Sequence, residues 1–542
     1  MERIESGPVQ PFENRRRLIL PLAAILLTGL LLRTWGLSWG LPERTDLHPD
    51  EFMYVIQHAL NVSWQQPDPG FINYPSFLCY STALIHGALK HFDSARPDWK
   101  AYLVGRAISA VYGTLTILVV FCLARRLGAD AIGALLAAAW TALLPLHVWD
   151  SHVAATDVMM TFWIMATLLA AVHLQSAPRV SIALLAGISL GLATGSKYTA
   201  AVTCLAPLVA VLLARVSWSR RVALLGIVAT AALIACFLVT PFSFLRFRDL
   251  LAAMAFENAH THSHHYGFSV PAAGFQYRRG AYQLFAAWPF SFGIPLYLAA
   301  IVGTLRFAWK PARIRWIILA FAAAFLFLTC RMTYTPIRYY MPLIVLGTLC
   351  AALWLGAELA ATPRGARFWL MLVLVLAITV YTAAFTVSST RRYAHDTRIA
   401  AERWIAANMA PNETLNVFGL NHYFGLARDI SRCRILPEDD IIQVKLASTN
   451  DLLEISSLHY LRHVRHDNHP FIEQYFRLQN SPDSFELLAR FDAPFLNRDL
   501  YGRLDPMFRC YFVAPTIEIY RPRHDPEVAD IPGETEAQQL AH

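Results

Sequence analysis

Residues 15–36 read RRRLILPLAAILLTGLLLRTWG. Three arginines precede an apolar run that starts at Leu18 and ends near Gly36. The run is too long for the core of a signal peptide and has no clear small-residue cleavage site. It reads as a retained signal anchor, with residues 1–17 as a cytoplasmic tail. Ten comparable runs follow, at 102–123, 132–149, 158–174, 182–194, 200–213, 222–239, 282–305, 314–330, 339–355 and 368–386. About eleven transmembrane helices are therefore predicted, an odd number that puts the chain ends on opposite sides of a bilayer.

The composition agrees. Of 542 residues, 56% are hydrophobic and only 15% charged, against about 25% charged in ordinary soluble proteins. Soluble, collagen-like, disordered and small disulfide-scaffold classes are excluded. Lys and Arg outnumber Asp and Glu by 46 to 38, a net charge of +8. The excess sits in short loops, at Arg125/Arg126, Arg179, Arg215/Arg220/Arg221, Arg306/Lys310/Arg313/Arg315 and Arg364/Arg367, whereas the loop 149–157 has no Lys or Arg. That distribution orients a membrane protein with these loops inside, and it removes the reason to infer a nucleic-acid partner. The runs 182–194 and 200–213 each fall short of the ~20 residues of a full span. Merging them would move the 306–315 cluster outside, so the charge pattern favours two spans.

Three long segments then face the outer compartment: 41–100, 241–281 and everything after about 388. Charge returns after Ser388. Residues 397–409 have helical spacing with Trp404, Ile405 and Met409 on one side, and short strand-like runs follow at 415–418 and 516–520. This predicts a small α/β outer domain over 389–522 and a disordered tail over 523–542. Cys433 and Cys510 share that domain, where one disulfide is open to them; Cys122, Cys204, Cys236 and Cys350 lie in apolar runs and read as small hydrophobes.

The first outer segment opens Leu47-His48-Pro49-Asp50-Glu51-Phe52. Pro49 suits a first helical position, with Asp50 and Glu51 in the first turn. Phe52, Ile56, Ala59, Leu60 and Ser63 then recur at spacings of three and four, predicting a helix lying along the membrane surface. The acids either complement the helix dipole or provide a general base at the water–lipid boundary. Asp157 closes a loop that also holds Asp150 and His152, on the same face as Asp50. It is either an exposed end residue or a second functional acid, acting with Asp50 as a positioning group or through a shared metal. Arg106, Lys197, Arg331 and Arg338 fall on that face too. Each is either a snorkelling side chain or part of a site for an anionic ligand, and a lipid-linked phosphate is the natural candidate. Gly187, Gly191 and Gly195 precede Lys197 at the four-residue spacing of close helix packing. His260, His262, His264 and His265 cluster in the second outer segment, as metal ligands or as part of a loop that closes over substrate.

His48-Pro49-Asp50-Glu51, Asn73-Tyr74-Pro75-Ser76, Gly105-Arg106, Ser151-His152 with Asp157, and Lys197-Tyr198 occur in this order. In this the chain resembles the GT-C glycosyltransferases, in particular the bacterial group similar to dolichyl-phosphate-mannose protein mannosyltransferases and the lipid A aminoarabinose transferase. The resemblance covers roughly residues 15–390 and is most specific at the acid pair.

It implies a multispan helical bundle with surface helices over the site. It also implies a bacterial plasma-membrane enzyme that moves a sugar from a polyprenyl-phosphate donor to an extracytoplasmic acceptor on protein, lipid or glycan. Carried onto this sequence, it makes Asp50 the catalytic acid, with Glu51 beside it and Asp157 as the second-loop acid. Arg106 and Lys197, joined by Arg331 and Arg338, become donor-phosphate contacts, and His48, Tyr74, His152 and Tyr198 line the substrate. Related enzymes differ in metal use, so a divalent ion near Asp50 or Asp157 stays unassigned. A lipid-linked-sugar transporter or flippase, and a non-catalytic family member, are the competing readings.

Overall fold

A computed structural model describes residues 13–262, 280–309, 312–333, 336–418, 433–436, 450–458, 461, 485–510 and 513–523. The chain divides into two compact units.

The larger comprises Met1–Trp39, His48–Ala394 and Phe495–Asn497, and its regular elements among the described residues are all helices. The first half holds α1 (Glu13–Thr34), α2 (Gln57–Asn61), α3 (Phe77–Phe92), α4 (Lys100–Arg126), α5 (Ala131–Ala142), α6 (Pro145–Asp150) and α7 (Thr156–Ser176). It continues with α8 (Val180–Ser196), α9 (Leu205–Leu213), α10 (Trp218–Val239), α11 (Pro241–Leu245) and α12 (Phe247–His262). The last part is α13 (Trp288–Phe292), α14 (Ile294–Trp309), α15 (Arg313–Cys330), α16 (Met341–Ala361) and α17 (Ala366–Ala394).

All eleven apolar runs lie largely in helix, but that at 132–149 divides at Leu143–Leu144 into α5 and α6. Among the described residues six helices are long and apolar enough to cross a membrane, or seven if one bent pair counts as a single span. The other four, Leu18–Thr34, Ala131–Ala142, Val180–Ser196 and Tyr198–Leu213, are shorter apolar helices. The bent pair corrects the expectation of a straight span at 282–305. Gln283–Phe292 and Ile294–Trp309 meet at 117°. The break falls at Gly293, whose φ of +77° L side chains resist; Pro289 and Pro295 flank it.

The glycine stripe acts as its spacing suggested. A Cβ on Gly187 would lie 2.5 Å from the Val228 carbonyl oxygen, and one on Gly191 only 2.3 Å from that of Ala232. With no side chain in the way, α8 packs directly on the backbone of α10.

The first outer segment departs from its predicted form. Asp50–Ile56 is a π-helix that runs into α2. Its wider turn rotates the buried face, so Glu51, Val55, Ile56 and Ala59 are inside while Leu60 is exposed. Of the apolar positions at three-and-four spacing, Ile56 and Ala59 are buried, Phe52 is half-buried and Leu60 is exposed.

The smaller unit comprises Gly40–Leu47, His395–Pro494 and Arg498–His542. It holds α18 (Thr397–Asn408) and five strands: β1 (Thr414–Phe418), β2 (Cys433–Leu436), β3 (Asp451–Ser456), β4 (Phe485–Phe491) and β5 (Ile517–Pro522). Their order is β2-β1-β3-β5-β4, with β2, β1 and β3 parallel and β5 antiparallel to both β3 and β4. Ala401 and Ile405 of α18, with Met409 just after it, pack on Leu415, Val417, Leu452, Ile517 and Ile519. Both expected strand runs are present, and Cys433 and Cys510 are free thiols. The tail beyond Arg523 lies outside the described residues.

Candidate functional site

Adjacent acids, Asp50 and Glu51, begin the π-helix and turn to different partners. Glu51 is fully buried and meets Arg106 through two parallel hydrogen bonds, Nε to Oε1 and Nη2 to Oε2, both 2.8 Å. Its Oε1 also accepts the Ala154 N–H at 2.7 Å. Arg106 Nη1 donates to the carbonyls of Leu37 (3.0 Å) and Trp39 (2.8 Å), and the guanidinium lies 4.8 Å from the Trp39 ring centroid. Its neighbour explains the Gly-Arg pair. A Cβ on Gly105 would fall 2.7 Å from the Ala154 Cβ and 2.9 Å from Ile56 Cδ1, so only glycine lets the π-helix and the 151–155 turn close over α4.

Asp50 faces a second cluster. Its Oδ2 is 2.9 Å from Arg338 Nη2, and Arg338 Nε is 3.6 Å from Asp157 Oδ2. Lys197 Nζ donates to Asp157 Oδ1 at 2.7 Å and lies 3.9 Å from the Tyr339 ring centroid. One guanidinium thus bridges two carboxylates, with an ammonium on the far side of the second. Burial alone would raise the Asp50 pKa; the neighbouring cations, Arg338 foremost and then Lys197, outweigh it and hold the carboxyl below its usual range.

A divalent ion shared by Asp50 and Asp157 would need the position that the Arg338 guanidinium occupies, so these side chains as placed do not fit one. Among the described residues no group of three or more His, Cys, Asp and Glu side chains is arranged to hold a metal. His260 stacks on Phe256 at 5.7 Å, and His262 Nδ1 lies 2.7 Å from the Asn258 carbonyl; His264 and His265 lie outside the described residues.

The remaining expected residues divide. His48 Nδ1 accepts the Asp50 N–H at 3.3 Å, and burial pushes its imidazole down to about 4, leaving it neutral. Tyr74 packs edge-on to Tyr54 (5.2 Å) and Phe71 (5.9 Å), within electrostatic range of Asp50 and Arg338. Tyr198 donates to the Ile72 carbonyl at 3.0 Å and shares a 2.8 Å hydrogen bond with Ser243. Asn73 beside it donates to Glu257 of α12 at 2.9 Å.

Three expectations do not fit the geometry. Arg106 commits four of its five N–H groups to Glu51 and backbone carbonyls and is only 1% exposed, so it is placed as the partner of Glu51 rather than as a donor-phosphate contact. His152 is fully buried, stacked on Tyr393 at 4.3 Å, with its ring nitrogens facing the Val148 and Trp35 carbonyls; it cannot line a substrate. Arg331 is exposed and lies 5.7 Å from the Phe327 ring centroid, and no ion pair ties it to the acids. Sequence reasoning also passed over Tyr339.

The profile of the dolichyl-phosphate-mannose-protein mannosyltransferase family matches residues 90–256, which include Arg106, Asp157 and Lys197. The chain resembles the GT-C glycosyltransferases. Solved structures give distant likenesses, all with TM-scores below 0.5. ArnT from Cupriavidus metallidurans bound to undecaprenyl phosphate is 14% identical, covering 93% of this chain and 98% of that one, with a TM-score of 0.47. The archaeal oligosaccharyltransferase AglB from Archaeoglobus fulgidus, in complex with an inhibitory peptide and a dolichol-phosphate, is 16% identical. It matches over 76% of this chain and 63% of its own, with a TM-score of 0.48. The S. cerevisiae protein O-mannosyltransferase Pmt1-Pmt2 complex bound to the sugar donor is 20% identical over 43% and 34% of the two chains, with a TM-score of 0.34. The chain therefore spans less than two thirds of the oligosaccharyltransferase it matches. No curated protein matches it.

Proposed function

We propose that this chain is a membrane glycosyltransferase that moves a sugar from a polyprenyl-phosphate donor to an acceptor hydroxyl at the outer face of a bacterial plasma membrane. The observation that carries the reading is the Asp50–Arg338–Asp157–Lys197 array. Two cations are held beside two carboxylates, and a phosphate can exchange for a carboxylate on either cation. The partial family match and the motif order support the same class, and the positive-inside charge pattern supports the outer face.

The transfer is an inverting displacement. The acceptor oxygen bonds to the anomeric carbon and its proton passes to Asp50. The bond from that carbon to the phosphate oxygen breaks, and the electron pair leaves with the lipid phosphate. Arg338 and Lys197 stabilise the charge that develops on the phosphate. Before the donor arrives, Arg338 holds Asp50 as a weak base. A phosphate that draws Arg338 toward itself returns the carboxylate to ordinary basicity, so the base is activated only when a donor is present. Glu51 and Arg106 hold the π-helix in place. The smaller unit is the part of the chain available for acceptor choice, and protein, lipid and glycan hydroxyls all satisfy the chemistry.

Incubating the purified full chain with a panel of polyprenyl-phosphate sugars, and identifying the consumed donor by mass spectrometry, tests the proposal. Asp50→Asn should lower transfer by about 10²- to 10⁴-fold with membrane expression intact. Near-normal turnover in that variant, or consumption of no donor in the panel by the wild type, would overturn it.

A further inference from the structure

Tyr54 follows Asp50 by four residues, close to one turn further along the same side of the π-helix. Its ring lies parallel to that of Phe71, with centroids 5.5 Å apart, and meets Tyr74 edge-on at 5.2 Å. Phe71 stacks on His58 as well, at 4.7 Å. The stretch that brings in Phe71 and Tyr74 is fastened from two sides. The Ile72 carbonyl accepts the hydroxyl of Tyr198, the residue after Lys197, at 3.0 Å, and Asn73 Nδ2 donates to Glu257 Oε1 at 2.9 Å. The rings are thus held beside the Asp50–Arg338–Asp157–Lys197 array, and Asp50, Arg338 and Glu257 lie within electrostatic range of both tyrosines.

The polar ends of this aromatic cluster are the part that the fold does not use. Tyr80 and Tyr198 give their hydroxyls to the Pro67 and Ile72 carbonyls. The Tyr54 and Tyr74 hydroxyls meet no hydrogen-bond partner among the described residues, and neither is closed off from solvent. Both residues are half-buried, so two packed rings end in open hydroxyls next to the proposed base. A tyrosine hydroxyl donates and accepts at once, which matches the hydroxyls of a sugar ring. A phosphate held by Arg338 and Lys197 carries its sugar through a single oxygen, and the anomeric carbon has to meet an acceptor oxygen that touches Asp50. The ring of the donor therefore comes to the side chains around Asp50, where Tyr54 and Tyr74 have hydroxyls to offer.

We propose that the Tyr54 and Tyr74 hydroxyls form the subsite that reads the donor's sugar, each hydrogen-bonding a hydroxyl of the ring attached to the lipid phosphate. This rests on the proposed donor class and deepens it: the sugar is recognised through its own hydroxyls, apart from the phosphate. A site that hydrogen-bonds a substrate hydroxyl discriminates strongly against an analogue that lacks it, so the two tyrosines govern which sugar is accepted.

The test is equilibrium binding to the full chain in detergent, without acceptor, for wild type, Tyr54→Phe, Tyr74→Phe and the double variant. The probes are undecaprenyl phosphate and undecaprenyl phosphate carrying mannose, glucose or arabinose. Neither hydroxyl bonds to the protein, so the thermal midpoints of the variants should equal that of the wild type, and a change in binding then reports on the ligand. Each single variant should raise the Kd of the sugar-bearing lipid that the wild type binds best by about 2- to 13-fold, the loss of one hydrogen bond. The Kd of undecaprenyl phosphate itself should stay at the wild-type value. Unchanged Kd values for all three sugar-bearing lipids in the double variant overturn the proposal. An equal loss for undecaprenyl phosphate also overturns it, by placing the hydroxyls at the phosphate. A wild type that fails to bind undecaprenyl phosphate removes the donor reading itself; one that binds it, with no variant effect on any sugar-bearing lipid, removes this subsite alone.

Discussion

Replacing Arg338 by Gln separates the two tasks assigned to it. The guanidinium lies 2.9 Å from Asp50 and 3.6 Å from Asp157. Hydrogen bonds to charged groups are worth about 1.5–3 kcal/mol each, and 1.4 kcal/mol is a factor of ten. Loss of one such contact to the donor phosphate should therefore lower kcat/KM roughly 10- to 150-fold. A second consequence follows from the balance at Asp50, where burial raises the carboxyl pKa and Arg338 is the largest charge opposing it. Without that cation the folded-state pKa of Asp50 moves up. A base works in its ionised form, so the acid limb of the kcat/KM profile should move to higher pH. Arg338→Lys keeps the charge and loses the fork, so it should weaken donor use while leaving the acid limb close to that of the wild type. Initial rates of the three proteins across pH, with the donor identified from the panel, provide the measurement. An acid limb unmoved in Arg338→Gln would refute the claim that Arg338 restrains Asp50.

Three further outcomes are expected. Arg106→Met strands the buried Glu51 carboxylate and should cost about 3–5 kcal/mol of stability, read as a lower thermal midpoint in detergent; a midpoint equal to the wild type would mean that the pair does not lock the π-helix. Gly191→Ala places a Cβ 2.3 Å from the Ala232 carbonyl oxygen and should destabilise by about 1–3 kcal/mol, whereas at Gly226, where a Cβ meets nothing within 4 Å, the same change should be neutral or stabilising. Glu454 on β3 is fully buried with neither carboxyl oxygen hydrogen-bonded, and burial raises its pKa from 4.5 to about 8. The folded state then holds a proton that the unfolded state releases, so stability should fall as pH rises through that window, by up to about 1.4 kcal/mol per pH unit; Glu454→Gln should flatten this slope in pH-dependent melts.

The apolar runs were legible because hydropathy is additive along the chain and every run lies largely in helix. Chain direction at Gly293 was not, since an apolar window looks the same whether the backbone bends or continues. The burial of Glu51 and Val55 was not legible either, because a helical spacing does not reveal the wider turn at Asp50–Ile56 that brings both inward. Among the cations, residue type and topology marked Arg106, Lys197, Arg331 and Arg338 alike. What distinguishes them is the acid each one reaches, 55 residues away for Arg106 and 40 for Lys197. No local pattern carries that information.

The neighbouring acids Asp50 and Glu51 show how one short segment meets two opposed requirements. A base that exchanges partners during a reaction needs a carboxylate with some freedom and a cation it can give up. Asp50 has both: its side chain keeps 14% exposure, and Arg338 already divides its attention between two acids. Freedom at that carboxylate is useful only if its backbone stays in place, since a displacement of about 1 Å at a reacting group can cost 10²-fold in rate. Glu51 supplies the fixed point, one residue away, by giving both oxygens to a buried guanidinium and one also to the turn that leads to Asp157. The same lock therefore ties the segment that bears Asp50 to the turn that leads to Asp157. Loosening it should impair transfer even where Asp50, Asp157, Arg338 and Lys197 are all intact. Glu51→Gln, which keeps the shape and removes the charge, should lower kcat more than it raises the donor KM. A variant that changed donor KM alone would place Glu51 at the phosphate instead.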